Sequence, residues 1–339
     1  MAILKCKICG GDLNVAEGQT VCECDYCGSR QTVPTLDSEK KLTVVVQQQW
    51  NENAAPLLER VFMFLEDGNW NSANEYCEKV LDIDPRNAEA YLGKLMAELK
   101  VKTREQLKNQ QQTFENSINC QKALRFGNET LKREILFAVE HIKHIKEISK
   151  AADSYYNKKE YGKAFELYRQ AAEAGYAHAQ YELGVLYQNG QGTAVRYDSA
   201  MLWYQKSAAQ NNALSWNNIG SLYSSGLGVP QNKTKALECY LRASSLNDGI
   251  GAMNAAFCYE NGKGTPKDRR KAAYYYRLAV ERGIKNAVLF NNLGVCYMDG
   301  IGVQRDYQKA REMFDKALKL GSTMATSNIA LLKKHMNSR

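Results

Sequence analysis

The chain of 339 residues has only five prolines and four histidines, and no apolar run approaches the roughly 18–20 residues that cross a bilayer. The scarcity of proline, together with 44% apolar and 10% aromatic residues, indicates a folded and mostly helical protein. The first residues also lack the apolar core and cleavage site of a secretory signal. We therefore expect a cytoplasmic protein that does not enter a membrane.

Motifs of catalysis are also missing. There is no GxSxG, no phosphate-binding P-loop and no HExxH sequence, and no histidine stands in a motif with a nucleophile. The four histidines are His141, His144, His178 and His335. We expect a protein without enzyme activity.

The net charge of +8 is unevenly distributed. Residues 1–45 carry five basic and six acidic side chains, whereas residues 151–339 carry twenty-five and fifteen. Binding to phosphates requires lysines and arginines gathered on one face. The positive second half therefore favours an acidic partner, and the slightly acidic first segment argues against nucleic acid there.

Five of the ten cysteines lie within the first 27 residues, and the others are isolated. Two CxxC pairs stand out, each followed by a glycine that suits a tight turn beneath the sulfurs. The pairs are Cys6 and Cys9 before Gly10, and Cys24 and Cys27 before Gly28. Four thiolates in this spacing predict a tetrahedral zinc ion. Cys22 has no such neighbour and is the spare.

Short strands are predicted on either side of Gly18, and a third strand at 31–34. Together with the two CxxC pairs, they make residues 1–37 resemble a zinc ribbon of the kind found at the amino termini of many bacterial proteins. Four cysteine ligands leave no open position, so the resemblance implies a structural metal that supplies folding energy to a small unit. A redox CxxC pair is the weaker alternative. The ribbon is expected to be structural, to dock to a protein, or to contact DNA or RNA.

Residues 38–53 are predicted to be a linker, and residues 54–100 two amphipathic helices broken near Gly68 and ended by Pro85. The placing of Trp70, Ala73 and Cys77 resembles a tetratricopeptide unit, in which small Ala73 lets two helices approach closely. Residues 101–150 remain helical without the repeat and are predicted to be connecting helices.

After residue 151 the sequence becomes periodic. Four segments share a small residue, a tyrosine three positions later, a GxG loop and an alanine-led second helix. The small residues are Gly184, Gly220, Ala256 and Gly294, spaced by 36, 36 and 38 residues. A period of this length predicts a solenoid of helical hairpins. The GxG loops recur with the repeat, which indicates turns and not phosphate cradles.

These segments resemble the Sel1-like repeat family, a relative of the tetratricopeptide repeat with longer loops. The resemblance implies an all-α fold, with residues 151–339 forming a right-handed α/α solenoid closed by a capping helix. Sel1-like proteins credited with enzyme activity carry paired cysteines in every repeat, which this chain lacks.

One polar column lies two residues before each small residue. It comprises Glu182, Asn218, Asn254 and Asn292, flanked in two segments by Asn217 and Asn291. In the tetratricopeptide family the matching asparagine faces the concave groove and bonds the backbone of a bound peptide, so the resemblance implies the same contact here. Hydrogen bonds between helices of the stack are the alternative.

The leading hypothesis is a non-enzymatic scaffold that holds a protein or peptide, favoured to be acidic, in the groove of the repeats. The alternative is a nucleic-acid-associated adaptor that contacts DNA or RNA through the ribbon. Steeply salt-dependent binding of the first 40 residues to nucleic acid would favour the adaptor.

Overall fold

The computed structural model of the protein describes residues 4–5, 12–13, 21–23, 30–32 and 54–337. The chain divides into two compact units, residues 1–144 and residues 145–339, called unit 1 and unit 2 below. The four cysteines predicted to bind zinc and Gly18 lie outside the described residues.

Four short strands are described in the first 32 residues. Strand β1 (Leu4–Lys5) pairs antiparallel with β2 (Asp12–Leu13), and β3 (Val21–Glu23) pairs antiparallel with β4 (Arg30–Thr32). Sequence analysis predicted strands near β2, β3 and β4 but not β1. Each strand pair brackets the sequence interval that contains one CxxC pair.

The remainder of the described chain is helical. In chain order the helices are α1 (54–66), α2 (Trp70–Ile83), α3 (Ala88–Leu99), a 3-10 helix (Arg104–Asn109), α4 (Ile118–Phe126), α5 (Glu129–Asn157), α6 (Tyr161–Glu173), α7 (Ala177–Asn189), α8 (Tyr197–Ala209), α9 (Ala213–Ser225), α10 (Lys233–Ser245), α11 (Gly249–Asn261), α12 (Arg269–Glu281), α13 (Ala287–Asp299), α14 (Tyr307–Lys319) and α15 (Thr323–Asn337).

The core of unit 1 forms where α1, α2 and α3 meet. Ala73 is fully buried there, and a Cβ atom added to Gly93 would lie 2.7 Å from Val61 Cγ1 and 2.8 Å from Cys77 Sγ. Helices α2 and α3 begin at Asn69 and Asn87, whose side chains accept hydrogen bonds from first-turn amides. The contact of Gly93 with Val61 and Cys77 has no repeat spacing behind it, unlike the contacts of unit 2.

Unit 2 repeats one packing arrangement. From α6 to α15 each helix contacts the next one along the chain. We call α7, α9, α11, α13 and α15 the first helices and α6, α8, α10, α12 and α14 the second helices of successive hairpins. This order confirms the predicted all-helical solenoid.

The three glycines among the small residues that recur with the repeat each lie under an aromatic ring of the second helix of their hairpin. A Cβ added to Gly184 would be 2.6 Å from Tyr204 Cε1, and one added to Gly294 would be 2.6 Å from Phe314 Cδ1. Ala256 fills the same column in the third segment and is completely buried. Small residues here let the two helices of each hairpin approach closely.

The GxG loops are turns, as predicted. All eight of their glycines have positive φ, between 66° and 76°, and the first glycine of each loop ends a first helix. The second glycine passes beside the preceding second helix: a Cβ at Gly228 would lie 2.6 Å from Tyr197 Cβ. Only glycine satisfies both conditions.

Helix α15 is less buried than the other first helices. Phe290, Asn291 and Met298 of α13 are buried, whereas the equivalent residues of α15, 36 positions later, are exposed and polar. These equivalents are Thr326, Ser327 and Lys334. Leu331 and Met336 of the same helix are exposed as well.

Candidate partner-binding face

One face of the first helices carries an exposed apolar stripe. Its members are the second residues of four helices: Leu214, Ile250, Val288 and Met324, with exposed fractions of 41%, 39%, 40% and 53%. Residues four positions apart share a helix face. The stripe therefore lies beside the asparagine column, which comprises Asn218, Asn254, Asn292 and Asn328, all partly exposed.

First helices of neighbouring hairpins approach one another directly. Helix α9 contacts α11 and α13 contacts α15, although each such pair is separated in sequence by a second helix. The stripe and the asparagine column both lie on these first helices. We refer to the surface that carries them as the concave face, because close approach on one side of a stack of hairpins favours a bend toward that side.

Asparagines connect neighbouring first helices directly. The Nδ2 atom of Asn254 donates to Oδ1 of Asn217 at 2.8 Å, which joins α11 to α9. The Nδ2 atom of Asn328 donates to Oδ1 of Asn291 at 2.8 Å, which joins α15 to α13. Asn217 and Asn291 are themselves buried. These two residues hold the stack together, and their column neighbours keep partly exposed amides.

The asparagine column also bonds the tyrosines of the second helices. Asn292 Nδ2 donates to the Tyr276 hydroxyl at 2.9 Å, and Asn218 makes the equivalent contact with Tyr204. The Tyr204 hydroxyl in turn donates to Gln188 Oε1 at 2.9 Å. Burial of the ring raises the pKa of the Tyr204 hydroxyl, so this group stays protonated and the bonds orient the amides.

The first position of the column is acidic. Burial raises the pKa of the Glu182 carboxyl, nearby His178 lowers it and Asp153 raises it. Asp153 Oδ1 accepts from the Tyr168 hydroxyl at 2.6 Å and lies 3.3 Å from His178 Nε2. The array therefore begins with a carboxylate pair where later hairpins present neutral amides.

Sequence analysis found the asparagine column but missed the stripe beside it. Leu214, Ile250 and Val288 recur at the repeat spacing, which is a readable signal. They are not identical in sequence, however, and an apolar residue near a helix start usually indicates core. Their exposure became visible only with the fold.

Metal binding by the described residues is not indicated. Among residues 54–337 and the four strands, no group of three or more His, Cys, Asp or Glu side chains is arranged to hold a metal ion. The five cysteines of the helical part are buried, and burial raises the pKa of Cys77 and Cys296 to about 12. Such thiols are inert packing residues.

Nor does any helix in the described part of the chain have the length and apolar character that spanning a bilayer requires.

The periodic segments are similar to a known repeat family. The family profile of the Sel1 repeat matches residues 158–176, 177–212, 217–248, 250–284 and 291–322. No curated protein matches the chain significantly.

Three solved structures illustrate the likeness. The chain is 26% identical to a Sel1 repeat protein from Oxalobacter formigenes, over 66% of this chain and 86% of that one, with a TM-score of 0.49. The c5321 protective antigen of uropathogenic Escherichia coli, which displays an SLR fold, is 20% identical over 81% and 59%, with a TM-score of 0.51. Helicobacter pylori cysteine rich protein B is 32% identical over 40% and 98%, with a TM-score of 0.29.

Proposed function

Because the profile of the Sel1 repeat matches five segments between residues 158 and 322, we propose that the protein is a non-enzymatic scaffold that holds a segment of a partner protein along the concave face of unit 2. Arrays of this repeat serve generally in protein–protein interaction. The observation that carries the proposal is the exposed apolar stripe running beside the asparagine column.

The chemistry of this face suits an extended polypeptide. Apolar side chains of the partner would cover the stripe. The remaining hydrogen-bonding groups of the column amides would form hydrogen bonds with the partner's backbone, as amides do when they recognise extended chains. The amides of Asn218 and Asn292 are already oriented by tyrosine hydroxyls, and those of Asn254 and Asn328 by neighbouring asparagines, so little conformational entropy is lost when they bind.

The test is partner capture by full-length protein carrying Leu214→Asp, Ile250→Asp and Val288→Asp. A matched control carries Leu202→Asp, Leu318→Asp and Leu320→Asp, which are exposed apolar residues outside both the stripe and the loop edge defined below, with exposed fractions of 46–50%. We expect the stripe variant to lose, by at least about tenfold, partners that the control retains. Equal retention by both variants would refute the proposal.

We also propose that Cys6, Cys9, Cys24 and Cys27 hold one structural zinc ion. Support comes from the two strand pairs, since each brackets one CxxC interval and would bring the two ends of that interval together. Thiolates are preferred ligands of zinc, and a closed set of four has no position for a substrate.

The zinc proposal predicts one zinc per chain in metal analysis of the purified protein. Cys6→Ser with Cys24→Ser should abolish the metal, and Cys22→Ser should retain it. Retention of stoichiometric zinc by the double variant would show that the ligands are other residues.

A further inference from the structure

The two edges of unit 2 differ in charge. We define the loop edge as the GxG turns and the adjoining helix ends, residues 156–163, 188–199, 224–235, 260–271 and 298–311. This edge carries fourteen lysines and arginines and six carboxylates. The opposite edge, at the turns that lead into the next first helix, carries equal numbers of both signs over residues 172–179, 208–215, 244–251, 280–288 and 318–325.

Every carboxylate of the loop edge already has a cationic neighbour. Glu160 contacts Lys163 at 2.7 Å, and Glu260 and Asp299 both contact Arg269, at 3.6 and 3.9 Å. The remaining pairs are Asp198 with Arg196, Asp268 with Lys271, and Asp306 with Lys309. Asp268 and Asp306 also cap helices α12 and α14. The acidic groups of this edge are thus neutralised within the fold.

Four of the surplus cations lie on two neighbouring segments of the loop edge, residues 224–235 and 260–271. Lys235, Lys263, Lys267 and Arg270 are exposed, and the structure shows none of them in an ion pair within the part of the chain that it describes. Their loops follow α9 and α11, two first helices that contact each other. Unpaired positive charges on adjacent repeats create a continuous positive potential.

The concave face does not share this charge. The stripe and the four residues of the asparagine column are uncharged, and a carboxylate, that of Glu182, occupies the equivalent position of α7. An anionic partner therefore finds its complementary charge on the loop edge and not between the first helices.

Lysines cover three tyrosines that border this edge. Single-stranded nucleic acids bind by stacking bases on open aromatic faces. Lys235 Nζ lies 5.4 Å from the ring centre of Tyr223, Lys271 Nζ 5.3 Å from that of Tyr259 and Lys309 Nζ 5.6 Å from that of Tyr297. These three rings are less available for base stacking, which favours an acidic polypeptide over nucleic acid.

We propose that the loop edge is a second docking surface, which binds an acidic polypeptide segment through Lys235, Lys263, Lys267 and Arg270. The inference rests on the proposed scaffold role but involves other residues than the concave face. A partner held at both surfaces would gain affinity from each contact, because the second contact forms at a high effective concentration.

The test measures binding of a fluorescent polyglutamate peptide of about 20 residues to the full-length protein at low salt. We expect the affinity to fall steeply with salt. In the variant Lys235→Glu, Lys263→Glu, Lys267→Glu, Arg270→Glu it should fall by at least about tenfold. The same four positions changed to Gln should lower the affinity in the same direction by a smaller factor. This second variant keeps the test valid if the charge-reversed variant does not fold.

The matched control reverses four exposed lysines away from the loop edge: Lys285, Lys319, Lys333 and Lys334. It changes the net charge equally and should lower affinity by less than about threefold. Equal losses in both variants, absence of polyglutamate binding, or tighter binding of a 20-nucleotide single-stranded RNA through the same four residues would overturn the proposal. The stripe variant should bind polyglutamate normally, so the two proposals fail separately.

Discussion

Unit 1 and unit 2 are both built from helical hairpins, but they differ in how often each contact occurs. In unit 1, Gly93 packs against Val61 and Cys77, and Arg104 forms ion pairs with both Glu89 and Glu134. Neither contact recurs at a repeat spacing. In unit 2 a small residue meets a second-helix aromatic side chain in three hairpins, at Gly184, Gly220 and Gly294. A repeated contact tolerates local variation, because each hairpin depends mainly on its neighbours.

The largest expected effect comes from filling the space under a ring. Gly294→Val should destabilise unit 2 by about 3 kcal/mol, since even a Cβ would lie 2.6 Å from Phe314. Gly93→Val should act similarly on unit 1. Hydrogen exchange of the amides would show which unit loses protection in each variant.

The control for these two variants is Gly162→Val, because a Cβ at Gly162 meets no atom within 4 Å. It should change stability by less than about 0.5 kcal/mol. If Gly294→Val changed the stability as little as Gly162→Val, close packing of the aromatic ring on the backbone would not be what stabilises the hairpins.

A smaller effect is expected at the tyrosine hydroxyls. Tyr168→Phe should cost about 2 kcal/mol, because the hydroxyl donates to the Asp153 carboxylate at 2.6 Å. Tyr276→Phe should cost about 1 kcal/mol, since its partner is the neutral amide of Asn292. Urea unfolding measures both losses of stability. A larger loss for Tyr276→Phe than for Tyr168→Phe would contradict the prediction.

Glu182→Gln should stabilise unit 2 at pH 7 by less than about 1 kcal/mol. Burial raises the pKa of Glu182, so the folded state prefers the protonated carboxyl, and wild-type stability falls as pH rises through the raised pKa. The advantage of the variant should disappear below about pH 4, where the wild-type side chain is protonated in both states. Melting curves at both pH values check this; an advantage that persists at low pH would contradict it.

The smallest effect concerns the turns between hairpins. Asn247 has φ of 69° at a position where Gly283 and Gly321 also have positive φ. Asn247→Gly should therefore stabilise unit 2 by about 0.5 kcal/mol, while Asn261→Gly within a helix should not. Thermal unfolding of the two variants would separate them.

The repeated features were predictable from sequence because they recur. Gly184, Ala256 and the GxG loops identified the solenoid and its turns without a structure. The recurring residue with positive φ in the turns between hairpins was not predicted, because Asn211 and Asn247 occupy this position where other hairpins have glycine. In unit 1 the role of Arg104 could not be predicted, because it depends on residues 15 and 30 positions away that occur once.

The candidate site was predictable in part for the same reason. Asn218, Asn254 and Asn292 formed a readable column, but their bonds to tyrosines depend on how first and second helices meet. The stripe and the loop edge needed exposure and ion pairing, which are properties of the fold and not of the sequence.

The central claim is that a partner lies on the concave face of unit 2, and site-specific photocrosslinking tests it most directly. A benzophenone side chain placed at Leu214 or Val288 should crosslink the captured partner, whereas one at Leu202 or Leu318, which are equally exposed outside this face, should not. Crosslinks from Leu202 or Leu318, with none from Leu214 or Val288, would contradict the account.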